Sequence, residues 1–128
     1  MSDLNTRHNR AVWFDIPVAD LIRASGFYSK VLAIQVDIIE EEGFTFAVLE
    51  HGEGNGGCLV PNEGEISAEA GIMLYLNVDG RLRDAVSKVT ANGGKVVQDI
   101  HGIGPHGFRA VIHDSEGNRV VLHSESDA

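Results

Sequence analysis

Apolar positions along the chain fall into short runs, and the runs recur with one spacing in both halves. Val12-Trp13-Phe14, continued by Ile16 and Val18, reads as a strand over residues 11–18. Asp20 then offers a helix N-cap, and Leu21, Ala24, Phe27, Tyr28 and Val31 fall at helical spacing within Leu21 to Leu32, so that face should lie on a sheet. Ile34 to Glu40 and Phe44 to Glu50 read as strands of a hairpin around the polar turn Glu41-Glu42-Gly43. A glycine-rich stretch, Gly52 to Gly57, reads as a flexible approach to the short strand Cys58-Leu59-Val60. The second half repeats the order. Ile72 to Leu76 with Val78 forms an apolar run, and Asp79 opens a helix-like stretch whose apolar face is Leu82, Ala85, Val86 and Val89. Asn92-Gly93-Gly94 ends it. Val96 to Ile100, the Gly-Pro loop Gly102 to Gly107, Phe108 to His113, the turn Asp114-Ser115-Glu116-Gly117 and Arg119 to Ser124 complete the chain.

The interval from Val18 to Val36 equals that from Val78 to Val96 (36 − 18 = 96 − 78 = 18). A β-α-β-β-β order thus appears twice, and two copies of a half-domain normally share one site. The organisation expected is a single domain over 1–128, with a first module at about 10–60, an acidic linker at 61–70 and a second module at about 71–125.

Composition narrows the partners. At 128 residues the chain has the size of one domain, and no apolar run approaches the ~20 residues that span a bilayer, so no membrane association is expected. Lys and Arg number 10 against 19 Asp and Glu, and the net charge of −9 would repel a phosphate backbone, so nucleic acid is not expected either. The single cysteine, Cys58, rules out an internal disulfide. Residues 1–8 lack the apolar stretch of a secretory signal and read as a short lead-in, which points to the cytoplasm.

The wording of both halves carries a family resemblance. Ile16-Pro17-Val18-Ala19-Asp20 leads into Phe27-Tyr28-Ser29-Lys30-Val31-Leu32; Leu76-Asn77-Val78-Asp79 and Asp114-Ser115-Glu116-Gly117-Asn118-Arg119 follow. Over about residues 10–125 this resembles the vicinal oxygen chelate superfamily, the glyoxalase/bleomycin-resistance/dioxygenase fold. The resemblance implies an α+β fold of paired βαβββ modules, forming a cupped mixed β-sheet with helices on the outer face, usually in a homodimer. Many members bind a divalent metal through side chains on four strands. Aligned on these motifs, the metal-ligand positions carry Trp13, Cys58, Met73 and Val121. Mg²⁺, Mn²⁺, Ni²⁺ or Fe²⁺ would want His and carboxylate donors there. The expectation is therefore no metal and no other cofactor, and glyoxalase I and ring-cleaving dioxygenase activities lose their warrant.

If the ligand positions face inward, the two-residue period of a strand brings Asp15 in beside Trp13, Tyr75 and Asn77 beside Met73, and Arg119 and His123 beside Val121. Such a lining, partly aromatic and partly polar, suits a small-molecule site. Trp13 and Tyr75 could stack on a flat or cationic ligand, and Asp15 could pair with that ligand or with Arg119. His123 and Asp15 are the candidates for acid–base catalysis, with a structural histidine as the plainer reading of His123. His101 and His106 flank the Gly-Pro loop and read as solvated or as covering the mouth of the cup. Cys58 reads as a buried small hydrophobe and the Asp114 to Gly117 turn as architecture. Three functions remain open. The first is a glyoxalase/bleomycin-resistance-like protein that binds a small molecule in a cup-shaped cavity without the usual metal. The second is a lyase or isomerase with an unusual metal site or metal-free acid–base chemistry. The third is a non-catalytic dimeric scaffold.

Overall fold

The computed structural model describes residues 7–67, 71–115 and 118–128. The end of the linker at 68–70, Glu116-Gly117 of the last turn and residues 1–6 of the lead-in lie outside the described residues. By internal contacts the chain divides into two compact units, Trp13–Ile72 and Met73–Ala128, the latter with the N-terminal residues up to Val12.

In the first half, β1 (Ala11–Val18) is followed by α1 (Leu21–Leu32), β2 (Val36–Glu41), β3 (Phe44–Leu49) and β4 (Cys58–Pro61). The strands lie in the order β2-β3-β4-β1, antiparallel except for the parallel pair β1–β4, which aligns Asp15 with Cys58. In the second half, β5 (Met73–Asn77), α2 (Leu82–Val89), β6 (Lys95–Gly102), β7 (Phe108–His113) and β8 (Arg119–Ser124) repeat the scheme. Their order is β6-β7-β8-β5, and the parallel pair β5–β8 aligns Tyr75 with Val121. The predicted β-α-β-β-β order thus occurs in each half, and in both halves the first and last strands form the parallel pair. Among the described residues no helix is long and apolar enough to cross a membrane.

Each helix covers one face of its own sheet. Phe14, Ile16 and Val18 of β1 join Ala47, Leu49 and Leu59 beneath Leu21, Ala24 and Tyr28 of α1. In the second unit Leu76, Ala110, Ile112 and Leu122 lie beneath Leu82, Ala85, Val86 and Val89 of α2, the predicted face. Leu82 has no solvent exposure, and burial of that kind stabilises by about 2 kcal/mol. Strand side chains alternate between faces, so Trp13, Asp15 and Cys58 in one unit and Tyr75, Val121 and His123 in the other turn away from the helices.

The predicted face of α1 needs correction. Phe27 and Val31 are 56% and 62% exposed, although both were expected on the sheet. At 100° per residue they sit on the shoulder of the stripe centred on Leu21, Ala24 and Tyr28, and Ser25 is the buried residue of the helix. Asp79 is also reassigned. The helix begins at Leu82, and the Asp79 carboxylate accepts from the Glu125 backbone N–H at 2.7 Å and the Ser124 hydroxyl at 3.3 Å. Parallel pairing of Asn77 with His123 brings the end of β8 beside Asp79, where these donors hold it. Asp20, by contrast, caps α1 as predicted, its Oδ1 accepting from Arg23 N–H at 3.0 Å.

Strand β2 starts at Val36 rather than Ile34, because Ile34 N–H closes the end of α1 on the Ser29 carbonyl at 3.2 Å. That closure puts Ala33 in the left-handed region at φ 55°, ψ 48°. A non-glycine residue there carries about 1–2 kcal/mol of strain, while glycine costs ~0.5–1 kcal/mol in the unfolded chain. Ala33→Gly should therefore stabilise the protein by about 0.5–1 kcal/mol, read as a rise in urea midpoint at constant slope. A fall in midpoint would show that the αL strain at Ala33 is already relieved.

Candidate functional site

The helix-free face of the second unit carries a connected polar group. Arg109, on β7, stands opposite His123 of β8 and opposite His101 of β6. The β6–β7 ladder slips between Gln98 and His101, and this irregularity sets His101 beside Arg109. Arg109 Nε donates to His101 Nε2 at 3.0 Å, and Arg109 Nη1 donates to the Tyr75 hydroxyl at 2.6 Å. The guanidinium also lies 5.9 Å from the centre of the Tyr75 ring. His101 Nδ1 is 2.8 Å from the Asp99 carbonyl, which can only accept, so Nδ1 carries the proton and Nε2 is free of one. Both bonds thus require a neutral His101.

His123 is fully buried, and its Nε2 lies 2.7 Å from the His106 carbonyl. A carbonyl only accepts, so the proton sits on Nε2 and Nδ1 presents a lone pair. That Nδ1 is buried and has no hydrogen-bond partner among the described residues. Burial pushes the imidazole below its ordinary pKa, against the opposing pull of the His106 carbonyl and the Glu125 and Asp79 carboxylates. His123 is accordingly neutral at pH 7. Its ring centre is 6.3 Å from that of Tyr75, and Gly107 lies so close that a Cβ there would stand 3.3 Å from His123 Nε2.

The first unit gathers a different set. Trp13 is buried and meets His51 edge-on, with ring centres 5.9 Å apart. Asp15 Oδ1 accepts from the Cys58 thiol at 3.2 Å, across the register pair that joins β1 to β4. Cys58 is buried, as its apolar neighbours suggest, and its S–H has a carboxylate partner. Gly56 and Gly57, expected to be flexible, are buried against His51 and Phe14. Their lack of side chains serves close approach, which composition alone does not distinguish from mobility.

The remaining predicted residues divide by environment. Val121 is fully buried, and Met73 and Arg119 are half-buried. Asn77 is occupied with architecture: its amide donates to the Asn9 carbonyl at 2.9 Å and its Oδ1 accepts from Asp79 N–H at 2.9 Å. Asp114, too, is architectural, since both its carboxylate oxygens accept from Asn118, at 2.9 and 3.0 Å. The sequence reading missed Arg109. Its position two residues along from Val111 on a half-polar strand was the available signal, but nothing in the sequence places His101 opposite it.

At the positions where the resemblance puts metal ligands, an indole, a thiol already bonded to Asp15, a thioether and an isopropyl group do not fit a hard divalent cation. Among the described residues no three His, Cys, Asp or Glu side chains gather in a way that could hold a metal ion.

Residues 10–122 match the family model described as the Glyoxalase/Bleomycin resistance protein/Dioxygenase superfamily. The chain is 30% identical over 118 residues to a "Glyoxylase-like domain-containing protein" of Didymella fabae, covering 87% of this chain and 90% of that protein. Its fold is similar to that of a hypothetical protein of Bacillus halodurans C-125, with a TM-score of 0.71 at 18% identity over 95% of this chain and 98% of the other. It is similar as well to a Streptomyces coelicolor methylmalonyl-CoA epimerase variant, with a TM-score of 0.67 at 18% identity over 94% and 99% of the two chains. Likeness at those identities speaks for the fold alone. With a family match over nearly its whole length and the βαβββ order in both halves, the chain belongs to the glyoxalase/bleomycin resistance protein/dioxygenase superfamily.

Proposed function

We propose that this protein binds a small organic molecule on the helix-free face of its sheets, without the divalent metal used by many of its relatives. The observation that carries this reading is the side-chain chemistry at Trp13, Cys58, Met73 and Val121, which offers no hard oxygen or imidazole donor. Tyr75, with an apolar ring and a hydroxyl bonded to Arg109, is the sort of group that orients a small ligand. Trp13, Asp15, Met73, Arg119, Val121 and His123 remain ligand-binding candidates. Asn77 contributes by holding the backbone around it. The same reading takes the chain as one cytoplasmic domain that works as a homodimer.

Protein purified without chelators or a polyhistidine tag should contain far less than one equivalent of Mg, Mn, Fe, Ni or Zn by elemental analysis. Its melting temperature should not respond to added metal. A near-stoichiometric metal with a matching stabilisation would overturn the reading.

One observation favours a second reading, an isomerase or lyase that uses acid–base chemistry. His123 is held neutral with an unprotonated Nδ1, the form a general base needs. Solvent-deuterium incorporation into 2-oxo acids, lost in His123→Gln, would support it. No incorporation above a no-protein control would count against it.

A further inference from the structure

We propose that the open edge of β2 is a docking site for an extended basic segment of another protein, which pairs with it as an added strand.

The hairpin turn fixes which backbone groups face outward. Glu42 and Gly43 both have positive φ, 51° and 85°, as in the two-residue turn that matches strand twist. Glu41 and Phe44 flank it, so they exchange the first backbone bonds between β2 and β3. Alternation then turns the N–H and C=O of Ile39 and Asp37 toward β3, and those of Val36, Ile38 and Glu40 away from it. The same alternation continues at Gln35, whose carbonyl accepts from Glu50 N–H at 3.0 Å. β2 stands last in the order β2-β3-β4-β1, and the outward groups of Val36, Ile38 and Glu40 have no backbone partner among the described residues. Such a run of open donors and acceptors is a template for another strand. Strand β6, at the edge of the other unit, differs, because its ladder slips between Val96 and Gln98 and again between Gln98 and His101, which blunts an edge. The β2–β3 ladder runs through all six pairs without a slip. What guards it is charge.

The side chains along β2 select the occupant. Asp37-Ile38-Ile39-Glu40 places two apolar residues between two carboxylates. Ile38 is 50% exposed, and Asp37 and Glu40 are exposed as well. Asp37 Oδ1 accepts from the neutral Gln35 amide at 2.8 Å, a bond that leaves its charge in place. A second copy of β2 laid antiparallel across the centre of this run would set Asp37 against Glu40, and like charges directly opposite destabilise a strand pair. A strand with the order basic-apolar-apolar-basic meets opposite charges at both ends and covers Ile38 between them. The open backbone supplies the pairing, and the charge pattern supplies the choice of partner.

The test titrates the whole ¹⁵N-labelled chain with the peptide acetyl-Ser-Thr-Arg-Val-Val-Arg-Thr-Ser-amide, up to about 1 mM. One counterpart carries Glu in place of Arg, and another carries N-methyl groups along its Arg-Val-Val-Arg core, which remove the backbone donors and keep the charge. The Arg peptide should give saturable shifts at the amides of Val36, Ile38 and Glu40 and slow their exchange with solvent. The Glu and N-methyl peptides should bind about tenfold more weakly. The double variant Asp37→Lys/Glu40→Lys, altered only at exposed side chains, should reverse the preference between the Arg and Glu peptides. Ile38→Pro removes an outward N–H and keeps the ladder to β3, and it should weaken the Arg peptide about fivefold. Equal binding of the N-methyl peptide would mean charge attraction without strand pairing and would overturn the docking site. So would an unchanged preference in the charge-reversed variant, or no saturable shift from the Arg peptide. Protection of Val36, Ile38 and Glu40 that rises with the concentration of the chain alone would put a second copy on this edge and overturn it as well.

Discussion

Gly57→Ala should destabilise the protein by about 3 kcal/mol, a fall in Tm of roughly 10 °C. A Cβ at Gly57 would stand 2.5 Å from two carbons of the Phe14 ring and 2.6 Å from the Phe14 carbonyl oxygen. A ring standing alone would yield, but this one is packed into the core with Val18, Leu49 and Leu59. The carbonyl belongs to a strand backbone and cannot move without breaking pairing. Gly57 is fixed on its other side as well, its own carbonyl accepting from Leu49 N–H at 3.1 Å. Gly64→Ala is the control, since nothing lies within 4 Å of its Cβ position, and it should stay within about 0.5 kcal/mol of wild type. Thermal and urea unfolding of both variants would decide. If Gly57→Ala melts with the wild type, the close approach of this segment to β1 is not maintained in solution.

His123→Ala should cost about 3 kcal/mol, because it empties a fully buried site and strips the His106 carbonyl of its donor. The native residue also imposes a pH dependence whose sign follows from its environment. Burial lowers the folded-state pKa, so between that value and the ordinary value of about 6.5 the unfolded chain binds more protons. The stability due to this group is present in full above about pH 6.5 and is lost as pH falls toward the folded-state pKa. His123→Gln keeps an N–H that can reach the His106 carbonyl and removes the titration. Urea midpoints of the wild type should therefore drop between neutral and mildly acid pH more steeply than those of His123→Gln. Parallel curves would show that His123 titrates alike in both states and that its burial has no such consequence.

Much of the fold was legible because it rests on local periodicity. The two-residue alternation of β1, the 3.6-residue stripe of α2, the Asp20 cap and the turn glycines each act within a few residues. β7 and β8 begin and end where the pattern puts them. Errors arose where a residue had two competing partners. Asp79 had the look of a helix start but was claimed by the end of β8, 45 and 46 positions away, and Phe27 and Val31 had helical spacing but lay past the edge of the buried stripe. The site was legible in outline only. Alternation groups Tyr75, Val121 and His123 on one face, but Arg109 and the irregularity in β6 that brings His101 to it depend on strand pairing.

The sequence by itself determined the family, the doubled βαβββ order and the side chains at the positions where relatives place a metal. These are read from spacing and residue type, which need no third dimension. Tertiary structure alone decided what those side chains do. It set Cys58 on Asp15, gave Asn77 to the backbone, fixed the tautomers of His101 and His123 and bonded Arg109 to both His101 and Tyr75. The physical reason is that hydrogen bonds between strands join residues far apart in the chain. Their partners are set by register and burial, and neither quantity is written at any single position.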